Sequence, residues 1–292
     1  METIKWALKF FGDQLRGHSQ SARLDAEILL AFVRQQERSY LYANDDQELT
    51  PAQCKWLQLL VNERLRGMPI AYLTGIREFW SLPLRVSKDT LIPRPETELL
   101  VELSLQLLAR QDKVSVLDLG TGCGAIALAL AHARPAWRIS ACDQSKKALD
   151  LAKINAAELG LTNITFYHSN WFSKIHKKLR FDAIVANPPY IATNDPHLQH
   201  KELSFEPASA LISGKDGSAA LECIIRQSLA KLSEHGLLLL EHGFKQKELV
   251  CGLLKAHRYA NINCWQDWQG NDRVSGGIKV SRAVPSKSPG QY

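Results

Sequence analysis

The spacing of apolar and polar positions changes twice along this chain. Through residue 75, apolar residues recur three and four apart. Leu24, Ile28, Leu29 and Phe32 form one set, and Trp56, Leu59, Leu60 and Leu65 another. That period places each set on one face of a helix. Thr50-Pro51 reads as an N-cap followed by proline at the first helical position. The opening stretch METIKWALKFFGDQL sets Glu2, Lys5, Lys9 and Asp13 into an apolar pattern. It predicts an amphipathic helix, not a signal or transit peptide. No strand pattern precedes Gly75. From Ile76 to Ile92 the pattern nears alternation, with Pro83 interrupting it, which predicts a β-hairpin at a sheet edge, bridging two domains. IPRPETE (92–98) then opens an amphipathic helix through about Arg110.

From Val114 the pattern alternates between strand and helix. SVLDLG, RISACD, NITFYHSN, FDAIVAN and GLLLLEHG read as strands. AIALALAHA, SKKALDLAKINAAELG and a stretch from about Ala219 to Leu232 read as helices between them. Two weaker strands follow, near 260–265 and 273–280. Such alternation predicts an α/β fold with a doubly wound, mostly parallel sheet and helices on both faces. The predicted organisation is a helical domain at 1–75, a hairpin linker at 76–92, an α/β domain at 93–281 and a Pro/Ser-rich, disordered tail at 282–292.

Composition changes this picture little. The apolar share is 45% and the charged share 23%, both ordinary for a soluble globular protein. No window approaches 18 uncharged apolar residues, so no membrane-spanning helix is expected. The net charge of +6 and pI near 9.0 permit an acidic partner without requiring one. Six cysteines, none in a C-x-x-C pair, read as reduced thiols of a reducing compartment, with no metal site.

Candidate chemistry gathers where the predicted strands end. Gly120, Thr121, Gly122, Cys123 and Gly124 form a turn between strand and helix. Glycines there let a ligand approach the backbone and the helix N-terminus. The G-x-G-x-G spacing is not that of a pyrophosphate cradle, and Asp118 just before it suits a ligand carrying positive charge. Asp143 closes the second strand, nineteen residues after Gly124. It can grip both hydroxyls of a ribose, cap the helix that follows, or do both. At the end of the third strand, Trp171 is placed to stack on a base and Asn170 to hydrogen-bond its edge.

The fourth strand ends in Asn187-Pro188-Pro189-Tyr190. Consecutive prolines remove two backbone donors and stiffen the chain, so this corner holds one amide and one phenol ring rigidly. A planar amide or ring amino group is a poor nucleophile, because its lone pair is delocalised. The Asn187 side-chain oxygen and the Pro188 carbonyl can hold its two N–H groups, aim the nitrogen and absorb developing charge. Tyr190 can pack on its flat face. No His, Lys or carboxylate adjoins this stretch as an obvious general base, so direct attack with late proton loss is expected.

These residues resemble class I S-adenosylmethionine-dependent methyltransferases, in which [DNS]PP[YFW] marks transfer to planar nitrogens. REFWSLPL, LIPRPETE, LDLGTGCGAIALALA, NPPYI, SFEPASAL and LLLLEHG together resemble the release factor glutamine methyltransferase family across residues 1–281. The resemblance implies a class I methyltransferase domain binding S-adenosyl-L-methionine. It implies a cytoplasmic enzyme that methylates N5 of the glutamine in the Gly-Gly-Gln motif of class I peptide chain release factors. Carried over, the cofactor residues are Gly120 to Gly124, Asp143, Asn170, Trp171 and Asn187. Asn187, Pro188, Pro189 and Tyr190 hold the substrate amide, with Asn187, Pro188 and Tyr190 forming the catalytic corner. Where the family often carries an acid before the Trp, this chain has Asn170, and somewhat weaker cofactor binding is expected. The helical domain then contacts the protein substrate beyond its tripeptide. A monomer with no stable nucleic-acid binding and no membrane partner is expected. The competing reading, a DNA adenine-N6 methyltransferase, is disfavoured because Glu27, Glu37, Asp45, Asp46 and Glu48 break up any basic face on the helical domain.

Overall fold

The structure, a computed structural model, describes residues 2–280. Residue 281 and the expected tail lie outside the described residues. The chain divides into two compact units. The first comprises the chain through Glu78, Pro83–Ile92 and, unexpectedly, Asp195–Ala208. The second comprises Phe79–Leu82, Pro93–Asn194 and the chain from Ser209 onward.

Among the described residues, five α-helices, α1 (Ile4–Leu15), α2 (Ala22–Arg34), α3 (Arg38–Ala43), α4 (Pro51–Leu65) and α5 (Ile70–Thr74), and two 3₁₀ turns at Pro196–Gln199 and Lys201–Phe205 build the first unit. Thr50 caps α4 through a full capping box with Gln53, satisfying donors that a helix start otherwise leaves open. The core sets Ile4, Ala7, Phe11 and Leu15 of α1 with Ala26, Leu29, Leu30 and Val33 of α2 and Leu57 and Val61 of α4. Of the two predicted faces, Leu29 lies in this core and Leu60 and Leu65 pack against it. Leu24, Trp56 and Leu59 are exposed, and Phe32 packs its ring on Trp56 at 5.4 Å. Both helices carry apolar residues on two adjacent faces, so helical period alone could not choose the buried one.

Residues 195–208 join this unit through polar contacts. Arg64, 8% exposed, binds Asp25 at 2.7 Å and Glu202 at 2.7 Å. The Ile92 N–H donates to buried Glu206 at 3.2 Å. Strands β1 (Ile76–Phe79) and β2 (Leu82–Arg85) form a two-stranded sheet.

After Phe79–Leu82, the second unit continues with a 3₁₀ turn at Pro95–Thr97 and α6 (Glu98–Leu107). Then come β3 (Ser115–Leu119), α7 (Ala125–Ala133), β4 (Arg138–Asp143), α8 (Lys146–Glu158), β5 (Ile164–His168) and β6 (Phe181–Ala186). After α9 (Ala208–Leu211) and α10 (Ala219–Ser228) follow β7 (Leu232–Glu241), α11 (Lys247–Ala256), β8 (Tyr259–Gln266) and β9 (Asp272–Lys279). The seven strands lie in the order β5-β4-β3-β6-β7-β9-β8. The first five in that order pair in parallel, while β9 runs antiparallel to both β7 and β8. Strand β3 is central, with Leu117 registered against Ser140 of β4 and Ile184 of β6. Val116 through Leu119 are all buried, as a strand covered on both faces requires.

Sequential strands run outward from β3 in one direction and from β6 in the other. The switch point thus lies between β3 and β6, where open α/β sheets place their ligands at the carboxyl ends of the strands. The glycine turn follows β3, and Asn187-Pro188-Pro189-Tyr190 follows β6.

Candidate active site

The glycine turn is anchored from below. The amides of Gly120 and Thr121 both donate to the Cys142 carbonyl at 2.9 Å, and Gly124 donates to Thr121 at 2.8 Å. Gly120, Gly122 and Gly124 have φ of +72°, +58° and +95°, the left-handed region that side chains resist. A Cβ on Gly124 would lie 2.8 Å from Leu128 Cδ1, whereas one on Gly122 would meet nothing within 4 Å. Gly124 is thus small for packing against α7, and Gly122 faces open space where a ligand can come close. Cys123 is buried.

Asp118 lies in β3 just before the turn, as expected. It is fully buried beneath the turn, where the Thr121 hydroxyl donates to its Oδ2 at 2.6 Å. Its Oδ1 has no hydrogen-bond partner among the described residues. Burial pushes its carboxyl up to about 7, against the pull of Thr121 and the Ala127 amide. It braces the turn first, and adds negative potential under the site only when ionised.

Asp143 bridges two backbone segments. Its Oδ2 accepts from Gly122 N–H at 2.9 Å and its Oδ1 from Ser145 N–H at 2.8 Å. Ser145, not Asp143, is the residue that caps α8, taking the Ala148 amide at 3.2 Å. Each Asp143 oxygen keeps a lone pair, so the side chain is pre-positioned to accept from a diol.

After β5, Trp171 has a φ of +47°, uncommon for a bulky residue and a small store of strain. Its ring packs over Gly120, where a Cβ would stand 3.4 Å from Cζ3. It is half-buried against the core, so it contributes packing as well as a ring at the strand's end. Asn170 is exposed.

In the fourth motif Pro188 is buried, and Asn187, Pro189 and Tyr190 are half-buried. The Asn187 Nδ2 donates to Thr97 Oγ1 at 3.0 Å, which leaves Oδ1 as the amide's open acceptor among the described residues. Tyr190 donates its hydroxyl to Glu241 Oε1 at 3.3 Å. Its backbone carbonyl takes the Gln246 amide at 3.1 Å, while Gln246 Oε1 accepts from Gly243 N–H at 2.9 Å. Beyond Tyr190 the chain pairs with a later segment: Ile191 N–H donates to Leu211, Ser213 N–H to Ile191 and Thr193 N–H to Gly214. Proline stiffness is thus only half of what fixes the corner. The rest is a set of hydrogen bonds to residues 20 to 90 positions away in sequence.

Thr97 and Glu241 were missed as site residues by local reasoning. A carboxyl does reach this corner, but from the end of β7 instead of a sequence neighbour. Glu241 is 1% exposed, and burial pushes its carboxyl up to about 7 although Thr97, Arg273 and Tyr190 pull it down. The only available signals were the IPRPETE and LLLLEHG stretches themselves, which suggest importance without a role.

A methylsulfonium nucleoside fits this arrangement. Gly122 offers open backbone, Asp143 offers two acceptors, and the orphaned Asp118 oxygen offers negative potential beneath the turn. Residues 6–75 match the family model described as the PrmC N-terminal domain, and residues 96–221 that of the methyltransferase small domain. The release factor glutamine methyltransferase of Buchnera aphidicola (subsp. Acyrthosiphon pisum) is 44% identical across 97% of this chain and 100% of its own. That of Coxiella burnetii is 45% identical across 94% and 98%, and that of Escherichia coli 47% across 88% and 92%. Among solved structures, a methyltransferase from Pyrococcus furiosus is similar at TM-score 0.54 and 15% identity, covering 75% of this chain and 99% of that one. The hMettl16 catalytic domain is similar at TM-score 0.57 and 16% identity, covering 74% and 81%. These two likenesses establish the class I methyltransferase fold of the sheet. With near full-length relatives at 44–47% identity, the chain belongs to the release factor glutamine methyltransferase family.

Proposed function

We infer that this chain methylates the side-chain amide nitrogen of the Gly-Gly-Gln glutamine in class I peptide chain release factors, using S-adenosyl-L-methionine. The observation that carries the reading is the Asn187 corner. One free amide oxygen stands on a proline-stiffened loop at the switch point, beside a glycine turn with open backbone. When bound, the cofactor supplies an electrophilic methyl group.

Gly120 to Gly124 would line its approach, Asp143 would accept from its ribose, and Asn170 and Trp171 would flank its base. Asn187 Oδ1 and the Pro188 carbonyl accept the two N–H groups of the substrate glutamine and orient its nitrogen. Pro189 and Tyr190 wall the slot and keep water from the amide. As the N–CH3 bond forms and the sulfonium S–CH3 bond breaks, those two acceptors stabilise the positive charge on the amide, and its extra proton passes to water once the methylated product leaves the slot. The helical unit, with exposed Trp56 and Leu59, supplies a second contact to the protein substrate. The enzyme acts as a cytoplasmic monomer without stable nucleic-acid binding.

The test is transfer of labelled methyl from S-adenosyl-L-methionine to a purified class I release factor. Its Gly-Gly-Ala variant, a Gly-Gly-Gln peptide and duplex DNA serve as comparison acceptors. Label on the wild-type factor, weaker label on the peptide and none on the other two is the expected result. Label on DNA would overturn the reading.

A further inference from the structure

We propose that Thr97 and Glu241 are positioning residues that fix the Asn187 amide with its oxygen facing the substrate. The proposal rests on the reading of the Asn187 corner given above. An asparagine amide has two ends of nearly equal size, and only the oxygen end can accept from a substrate N–H. Something must therefore break the symmetry. Asn187 Nδ2 meets Thr97 Oγ1 at 3.0 Å. A threonine hydroxyl has a single proton. If that proton is donated elsewhere, the oxygen facing Asn187 can only accept, and the amide must present its N–H end to it.

The elsewhere is Glu241. Tyr190 donates its hydroxyl to Oε1 at 3.3 Å, while the buried Oε2 has no hydrogen-bond partner among the described residues and is the acceptor left for the neighbouring Thr97 hydroxyl, which with Tyr190 holds the carboxyl's proton affinity down. An ionised carboxylate accepts only. The chain of donors then runs one way, from Asn187 N–H to Thr97 O–H to Glu241, with Asn187 Oδ1 left over for the substrate. Thr97 is 4% and Glu241 1% exposed, so water has little access to supply a rival partner. A protonated Glu241 removes this direction. It can donate to Thr97, which is then free to donate to Asn187 and favour the flipped amide, whose N–H end repels the substrate's own N–H. The charged and titratable groups facing Glu241 are Arg273 on β9, which favours ionisation, and Glu96 on the 3₁₀ turn, which opposes it, besides Tyr190. Burial places the Glu241 titration near pH 7, so kcat should rise as pH passes through neutrality.

The experiment measures kcat and KM for a release factor from pH 5.5 to 8.5 in wild type and five variants. These are Asn187→Ala, Thr97→Val, Thr97→Ser, Glu241→Gln and the Asn187→Ala/Thr97→Val double variant. Cofactor affinity by calorimetry and thermal melting are run on each. Thr97→Val should lower kcat at least tenfold, with cofactor affinity within twofold of wild type. Thr97→Ser, which keeps the hydroxyl, should restore kcat to within threefold. In the Asn187→Ala background Thr97→Val should cost less than twofold further, because its effect runs through Asn187. Glu241→Gln should flatten the rise in kcat near neutral pH. Wild-type kcat in folded Thr97→Val, or full additivity in the double variant, would overturn the proposal. If Thr97→Val melts early, the pH profile of Glu241→Gln decides instead, and an unchanged profile overturns it. Near-normal activity of Asn187→Ala would show that the corner itself was misread, a failure distinct from that of the relay.

Discussion

Single side chains here do two jobs, and the second is visible only in space. Asn170 is exposed just after β5, at the position where the family resemblance leads one to expect an acid. An acid accepting from an adenine amino group makes a charge-assisted bond, stronger than that of a neutral amide by about 1 kcal/mol. Asn170→Asp should therefore tighten S-adenosyl-L-methionine binding roughly fivefold by calorimetry. Unchanged or weaker binding would remove Asn170 from the base edge. Asp118 yields a pH prediction. Its ordinary value is 3.8, and burial raises it to about 7 in the folded chain. A carboxyl raised on folding binds its proton more tightly in the native state, so its contribution to stability is complete below about pH 4. That contribution is lost as pH rises through 7. Asp118→Asn, which cannot ionise, should thus gain on wild type in melting temperature between pH 5 and 8.5. A constant difference across that range would show that the burial is not felt as charge.

At the level of elements, the loops after β3 and β6 are shaped by close approaches. Gly217 lies beneath the substrate corner: a Cβ there would stand 2.2 Å from the Tyr190 carbonyl oxygen, and its φ is +80°. The obstacle is backbone, which cannot swing aside. Gly217→Ala should cost about 1–3 kcal/mol from the dihedral alone, and it should move Tyr190 enough to lower kcat as well. A melting curve and a rate suffice, and wild-type values in both would show the loop to be pliant. Strands and helices of the sheet were readable because alternation and period are local. SVLDLG, RISACD and FDAIVAN became β3, β4 and β6 within a residue or so. The glycine turn and the Asn-Pro-Pro-Tyr corner were readable because glycine and proline declare backbone geometry. Thr97 and Glu241 were not, since their partners lie 90 and 51 residues away and no local pattern encodes such a meeting. Which helix face is buried was not legible for a third reason: α2 and α4 carry apolar residues on two adjacent faces, and only packing chooses between them.

Over the whole molecule, residues 195–208 are the feature that sequence did not announce. They sit between the Asn187 corner and α9, yet they belong to the helical unit. Arg64 holds them through Glu202 while also binding Asp25, with its guanidinium 8% exposed. Removing one member of a buried ion cluster leaves the others uncompensated, at a cost of about 3–5 kcal/mol. Arg64→Ala should lower the melting temperature of the helical unit and speed proteolytic cutting within residues 195–208, read by mass spectrometry. Unaltered cutting would mean that Ile92 and Glu206 hold the segment without Arg64. A truncation removing residues 1–75 strips this segment of its partners, so loss of activity in such a fragment does not by itself demonstrate substrate contact.

The same arrangement has a consequence in time. A ribosome adding about 5–20 residues per second brings Glu202 out roughly 7–28 s after Arg64. During that interval the newly made helices hold Arg64 through Asp25, the Ser19 hydroxyl and the Met68 carbonyl, without its second carboxylate. The unit that emerges first is therefore the one that waits, and it is completed by chain made after the Asn187 corner.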